Sequence, residues 1–269
     1  MKEHIGGLKK INAQLSEEEV IDILINTDKK HFPLRCFSNV LYAPMRINDE
    51  LIDYIGFYVA KLILREDLKF EDKKKPGDFD VIIIPFSDTK IYFDRTVASE
   101  VKVVRPTRRK PSRNANSLGV KQLFGLIEDG FPFISLIHIT MPEALKEAEM
   151  QTLKFANRPL DMDNPKNNIG LLDDMRDVLF DWLGMYSASK QMQRLLKFDI
   201  PKYAGLYCTE LSFFDNGSYV LSDIYGEYND FNHGYFNPKI KSETIEKIEQ
   251  HFQDNPSNYQ KILIPPSKG

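Results

Sequence analysis

Apolar positions along this chain follow two different periods, and the changes between them predict an α/β protein. Residues 16–26 predict a first helix, with Ser16 as N-cap and Glu19 at the capping-box position three residues on. A second helix is predicted after Asn48, where Leu51, Ile52, Ile55, Val59, Leu62 and Ile63 make one apolar stripe at helical spacing. Lys73-Lys74-Lys75-Pro76-Gly77 then reads as an exposed basic turn. Denser apolar runs over 79–86, 90–94 and 97–104 predict three strands in an antiparallel meander. A helix follows from Asn116 or Ser117. Val120, Leu123, Phe124 and Ile127 give it a packing face and Gly130 a stop. Residues 131–137 predict the next strand.

Beyond that strand the pattern predicts a helix over 142–155, with Pro142 in its first turn. Residues 157–169 are rich in Asn, Asp and Pro and read as a long loop. That loop divides a core over 1–156 from a C-terminal α+β elaboration over 157–269, packed on the core rather than linked to it as an independent domain. Within the elaboration, 171–196 is helical. Residues 203–213 and 218–225 are β-rich and joined at Asp215-Asn216-Gly217, a tight-turn signal. An amphipathic helix over 241–252 closes the pattern, and there is no internal repeat.

Composition narrows the function classes. A chain of 269 residues with 42% hydrophobic residues can bury one large core. No apolar run approaches the ~20 residues of a membrane-spanning helix, and the start shows no apolar signal region. Cys36 and Cys208 lie far apart with no CxxC spacing, which predicts reduced thiols and a cytoplasmic setting. The histidines at 4, 31, 138, 233 and 251 show no metal-ligand spacing, and His138 reads as a hydrogen-bonded core residue. Gly-rich phosphate loops and a Gly-x-Ser-x-Gly elbow are absent, which argues against an NTPase and an α/β-hydrolase.

A net charge of −3 argues against an electrostatic nucleic-acid binder as a whole, yet positive charge is concentrated in one place. Arg105, Arg108, Arg109, Lys110 and Arg113 occur without an intervening acid, and Pro106 and Pro111 keep the segment out of a helix. It reads as a basic loop directly after a strand, either simply solvated or in contact with phosphate. Its position beside Lys102 favours phosphate contact.

The strand before that loop carries unusual chemistry. In Ser99-Glu100-Val101-Lys102-Val103-Val104, residues 100 and 102 must share a face. Charged side chains there are costly near a core unless they are paired or bind an ion. Asp80 opens the apolar run 81–84 after Gly77-Asp78-Phe79. Two carboxylates holding a metal ion, with the lysine left for substrate, would offset the cost. A wet ion pair between Glu100 and Lys102 and an exposed Asp80 are the plain alternatives.

The order of Asp80 at the head of a strand, Glu100-Val101-Lys102 in the next, the Gln-bearing helix 121–130 and the apolar strand 131–137 resembles the PD-(D/E)xK superfamily of restriction-endonuclease-like nucleases. The resemblance covers about residues 48–140. It departs at Phe79, where the family usually has Pro or a small residue. It implies a restriction-endonuclease-like α/β core with a central mixed sheet in αβββαβ order, flanked by helices. It also implies a Mg²⁺- or Mn²⁺-dependent nuclease, with Asp80, Glu100 and the Val101 carbonyl holding the ion. Asp78 is the alternative to Asp80. Lys102 would orient or deprotonate the attacking water or stabilise negative charge.

The family often adds a glutamate from the helix before the hairpin, here Glu50 in preference to Glu66. The helix glutamine and its neighbour would be Gln122 and Lys121, either reaching the site or solvated. The implied partner is nucleic acid, DNA before RNA, contacted by Arg105, Arg108, Arg109, Lys110, Arg113 and Lys121. No membrane partner is implied, and homodimerisation is left open. The alternative is a non-catalytic nucleic-acid-binding or protein-interaction module of the same fold.

Overall fold

Residues 133–140 are buried along their whole length, so the strand they form must be covered on both faces. The computed structural model, which describes residues 3–4, 8–25, 41, 54–70, 78–114, 118–156, 175–222 and 234–264, shows how. In chain order the strands of the main sheet are β2 (Lys10–Ile11), β3 (Gly56–Ile63), β4 (Phe79–Phe86), β5 (Val97–Val104), β6 (Phe133–Thr140), β9 (Gly205–Phe214), β10 (Tyr219–Ser222) and β11 (Gln260–Leu263). A small separate sheet contains β1 (Glu3–His4), β7 (Gln151–Ala156) and β8 (Met175–Phe180). The helices are α1 (Glu17–Ile25), α2 (Val120–Asp129), α3 (Leu183–Leu195) and α4 (Ser242–Asp254).

The main sheet runs β10-β9-β6-β5-β4-β3-β11, with β2 added to β9. Its centre, β5-β6-β9, is parallel, and the flanking pairs are antiparallel, so the sheet is mixed. Strands from beyond residue 200 build both edges of this sheet: β9 and β10 on one side, β11 on the other. On one face α1 contributes Val20, Ile21 and Leu24 to a core with Val81, Ile83, Val97, Val101, Ile137 and Tyr207. On the other, Leu123 and Ile127 of α2, Met192 and Leu195 of α3 and Ile248 of α4 pack on Ile82, Ala98, Ile134, Leu136 and Leu206. This is an α/β architecture with helices on both faces. Among the described residues no helix is long and apolar enough to cross a membrane.

Four expectations from the pattern are corrected. The described part of the predicted helix after Asn48 is strand β3, paired with β4 and β11. Phe57, Val59, Ala60 and Ile63 are all buried, and a nearly continuous apolar run satisfies either period, so burial between two strands decides. The predicted strand over 90–94 reduces to one bridge at Ile91 and a single 3-10 turn, Phe93–Arg95, because Ser87 and Lys90 close a tight turn. The predicted helix over 142–155 is a 3-10 turn at Glu147–Glu149 followed by β7. The described part of the predicted helix over 171–196 is β8 and then α3, with the break at Asp181, whose carboxylate accepts the Leu183 N–H at 3.2 Å. The predicted loop over 157–169 lies outside the described residues.

Candidate active site

β4 and β5 pair only from Val81↔Ser99 to Ile83↔Val97. One step further the same register sets Asp80 opposite Glu100, on one face of the sheet. Past that point the strands part, and side chains take the place of the missing rungs. The Val101 N–H donates to Asp80 Oδ2 at 2.7 Å, and the Val103 N–H donates to Glu17 Oε2 at 3.3 Å. The Val101 carbonyl accepts from Lys102 Nζ at 3.0 Å.

Lys102 fills the notch. Its ammonium lies 2.6 Å from Glu100 Oε1, 3.1 Å from Glu17 Oε1 and 3.8 Å from Asp80 Oδ2. Carboxylate oxygens from α1, β4 and β5, together with one carbonyl, thus surround one positive charge. The lysine side chain is 13% exposed and that of Glu100 4%. Burial pushes the Asp80 carboxyl up to about 6, and burial together with the Asp80 charge pushes Glu100 up to about 7. Burial works against the Lys102 charge, but Glu100, Asp80 and Glu17 outweigh it and raise the ammonium above the usual lysine range.

Asp80, Glu100, the Val101 carbonyl and Lys102 therefore converge. Asp78 does not join them: it is exposed, and its Oδ1 accepts the Arg65 N–H at 3.2 Å. Glu66 is exposed in the turn after β3, and Glu50 lies outside the described residues. The glutamate that does reach the site is Glu17, in the first turn of α1. Its only sequence signal was the acidic run Glu17-Glu18-Glu19 behind the Ser16 cap. Glu19 closes the capping box with Ser16 at 2.7 and 3.1 Å, and Glu18 pairs with Lys61 at 3.4 Å, so only Glu17 turns to the notch.

Helix α2 begins beside the same groups. A Cβ on Gly119 would stand 3.3 Å from Lys102 Cγ and 3.4 Å from Glu100 Cγ. Lys121, exposed, and Gln122, half-buried, follow in the first turn. The basic loop divides by role. Arg105 is half-buried and donates to the Leu15 carbonyl, tying the loop to the start of α1. Thr107 and Lys110 close a tight turn with Arg108 and Arg109 at its tip. Arg108 pairs with Glu149 at 3.2 Å, while Arg109, Lys110 and Arg113 are exposed.

No family model, curated protein or solved structure matches this chain. The chemistry therefore rests on the donors themselves. Among the described residues no group of three or more His, Cys, Asp or Glu side chains is arranged as an ion cage. The candidate set is smaller: two carboxylates and a carbonyl, all hard oxygen donors of the kind that suits Mg²⁺ or Mn²⁺ with solvent in the remaining positions. The cation position is marked by the Lys102 ammonium, on which these oxygens already converge. The donors fit the ion.

Proposed function

We propose that this protein is a Mg²⁺- or Mn²⁺-dependent nuclease of the PD-(D/E)xK type, acting on phosphodiester bonds in DNA. The observation that carries the reading is the convergence of Asp80, Glu100, the Val101 carbonyl and Lys102 where β4 and β5 part. The succession α1-β3-β4-β5-α2-β6 agrees with the αβββαβ order such a core requires.

Asp80 and Glu100, with the Val101 carbonyl, would hold the ion. When bound, the ion supplies Lewis-acid polarisation of phosphoryl oxygens and activation of water. The protein's own contribution is to place charge. Lys102, now 2.6 Å from Glu100, would be free to donate to a non-bridging phosphate oxygen if Glu100 served an ion instead. Glu17, 3.1 Å from the ammonium in this structure, is the residue that would keep it oriented. Arg109, Lys110 and Arg113 extend beyond the end of β5, where they can follow the nucleic-acid backbone.

A second reading also has an observation behind it. Lys102 already bridges Glu17, Glu100 and Asp80, an arrangement that also suits a non-catalytic binding module of the same fold. One experiment separates the two. Purified protein is incubated with circular and linear duplex DNA, single-stranded DNA and RNA, with Mg²⁺, Mn²⁺ or chelator. Metal-dependent cleavage by wild type, lost in Glu100→Gln, supports the nuclease. Binding without cleavage under every condition overturns it and leaves the binding module.

A further inference from the structure

Backbone carbonyls shortly after β5 and just before α2 are held by side chains from two other elements. His138 on β6 stands beside Lys102 in the parallel register and is completely buried. Its Nε2 lies 3.1 Å from the Leu118 carbonyl. A carbonyl only accepts, so Nε2 carries the proton and the ring donates. Burial lowers the pKa of His138 to about 4, so the ring is neutral at physiological pH. On α3, the fully buried Gln191 donates from Nε2 to the Arg113 carbonyl at 2.7 Å, and Arg194 donates to the Ser112 carbonyl. Three side chains thus satisfy the backbone carbonyls of Ser112, Arg113 and Leu118.

Leu118 leads directly into Gly119, at φ +69°, the left-handed region. A Cβ at Gly119 would stand 2.6 Å from Leu136 Cδ1 as well as crowding Lys102 and Glu100, so the backbone there is packed on the stems of both charged residues. A shift of Leu118 moves Gly119, and a shift of Gly119 changes the space in which those two side chains choose rotamers.

We propose that His138 is a positioning residue of the site: by holding the Leu118 carbonyl it sets where Gly119 meets the stems of Glu100 and Lys102. It does not touch substrate in this role. The activity part of the inference rests on the nuclease reading, whereas the geometric part does not.

The test uses pairs of variants on the full chain. His138→Gln keeps an N–H donor near the Nε2 position, whereas His138→Leu keeps bulk and removes the donor. The ammonium of Lys102 is followed by lysine ¹⁵N NMR at fixed pH, assigned with Lys102→Arg, and metal-dependent cleavage is followed in parallel. His138→Leu is expected to shift the Lys102 ¹⁵N resonance from its wild-type position. It should lower kcat about tenfold with KM within about twofold, as loss of orientation without loss of binding requires. His138→Gln restores both. A folded His138→Leu protein with the wild-type Lys102 resonance overturns the proposal. Should wild type not cleave, the nuclease reading falls and the NMR comparison alone decides the positioning role. Should His138→Leu not fold, His138→Met, which also lacks the donor, carries the same test.

Discussion

Val101 gives its backbone N–H to the carboxylate of Asp80, 2.7 Å away, two residues after Ser99 makes the last β4–β5 pairing. A side chain thus satisfies a strand N–H that the neighbouring strand has abandoned. Asp80→Ala should leave that donor unpaired and cost about 1–3 kcal/mol. Asp80→Asn keeps an acceptor and removes a charge that burial disfavours. In chelator above about pH 7 it should be at least as stable as wild type, and with Mg²⁺ or Mn²⁺ present it should not cleave. Urea unfolding of the two variants checks the division, and an Asp80→Asn protein as unstable as Asp80→Ala would refute it.

Stability should depend on pH in an unusual direction. Asp80 and Glu100 are raised in the folded state, to about 6 and about 7, above ordinary values of 3.8 and 4.5. Between those limits the folded protein binds more protons than the unfolded chain, so each contribution is fully present below the unfolded value. It is lost as pH rises through the folded value. His138, held neutral by burial with its pKa lowered to about 4, works the opposite way over part of this window, so the site is read as a difference. In chelator the wild-type unfolding midpoint, taken relative to that of the Asp80→Asn/Glu100→Gln double variant, should fall between about pH 4 and about pH 7. Wild-type and double-variant midpoints that run parallel over this window would contradict the site's electrostatics.

Divalent metal should reverse that trend. An ion that binds only the folded protein stabilises it by about 2.7 kcal/mol at a hundredfold excess over Kd. Protons compete for the same carboxylates, so the rise in melting temperature with Mg²⁺ or Mn²⁺ should be larger above about pH 7 than near about pH 5. Glu100→Gln should abolish it. An equal increment in that variant places the ion elsewhere.

Lys102 and the loop beyond it should separate catalysis from binding. Lys102→Ala should remove cleavage and leave most nucleic-acid affinity, because under the nuclease reading it would serve one phosphate among several. Arg105 is unsuitable for a binding test, since its guanidinium already holds Leu15. Replacing Arg109, Lys110 and Arg113 by serine should instead weaken binding to all sequences. It should also reduce the salt slope by about 0.9 for each phosphate no longer neutralised. An unchanged slope would leave the loop a solvated surface.

Where β2 pairs with β9, Lys10 is bonded to the buried Glu210 at 2.6 Å and lies 3.4 Å from Asp181, joining β2 to β9 and to the start of α3. Lys10→Met should cost about 3–5 kcal/mol, because it strands a buried carboxylate. Recovery in Lys10→Met/Glu210→Gln, measured by denaturant unfolding, distinguishes a stranded charge from impaired packing.

Features set by near neighbours were legible without the fold. The Ser16–Glu19 box, the Gly130 stop at φ +85°, the Asp215-Asn216-Gly217 turn and the shared face of Glu100 and Lys102 all follow from residues within a few positions of one another. Asp80 was legible as a candidate because an apolar strand starts directly after it. The sequence by itself thus determined that Glu100 and Lys102 share a face of their strand and that Asp80 heads the strand before it.

Tertiary structure decided the rest. Residues 56–63 satisfy both periods, and only pairing with β4 and β11 makes them a strand. Asp78 and Asp80 share an alternation, and only the register with β5 brings Asp80 to Val101 while Asp78 serves Arg65. Glu17 is one of three consecutive glutamates, and it joins Lys102 across 85 residues of chain because α1 packs over β5. Local propensity and spacing act over a few residues, whereas the cation position in the notch is made by oxygens from α1, β4 and β5, whose meeting depends on the burial of both sheet faces.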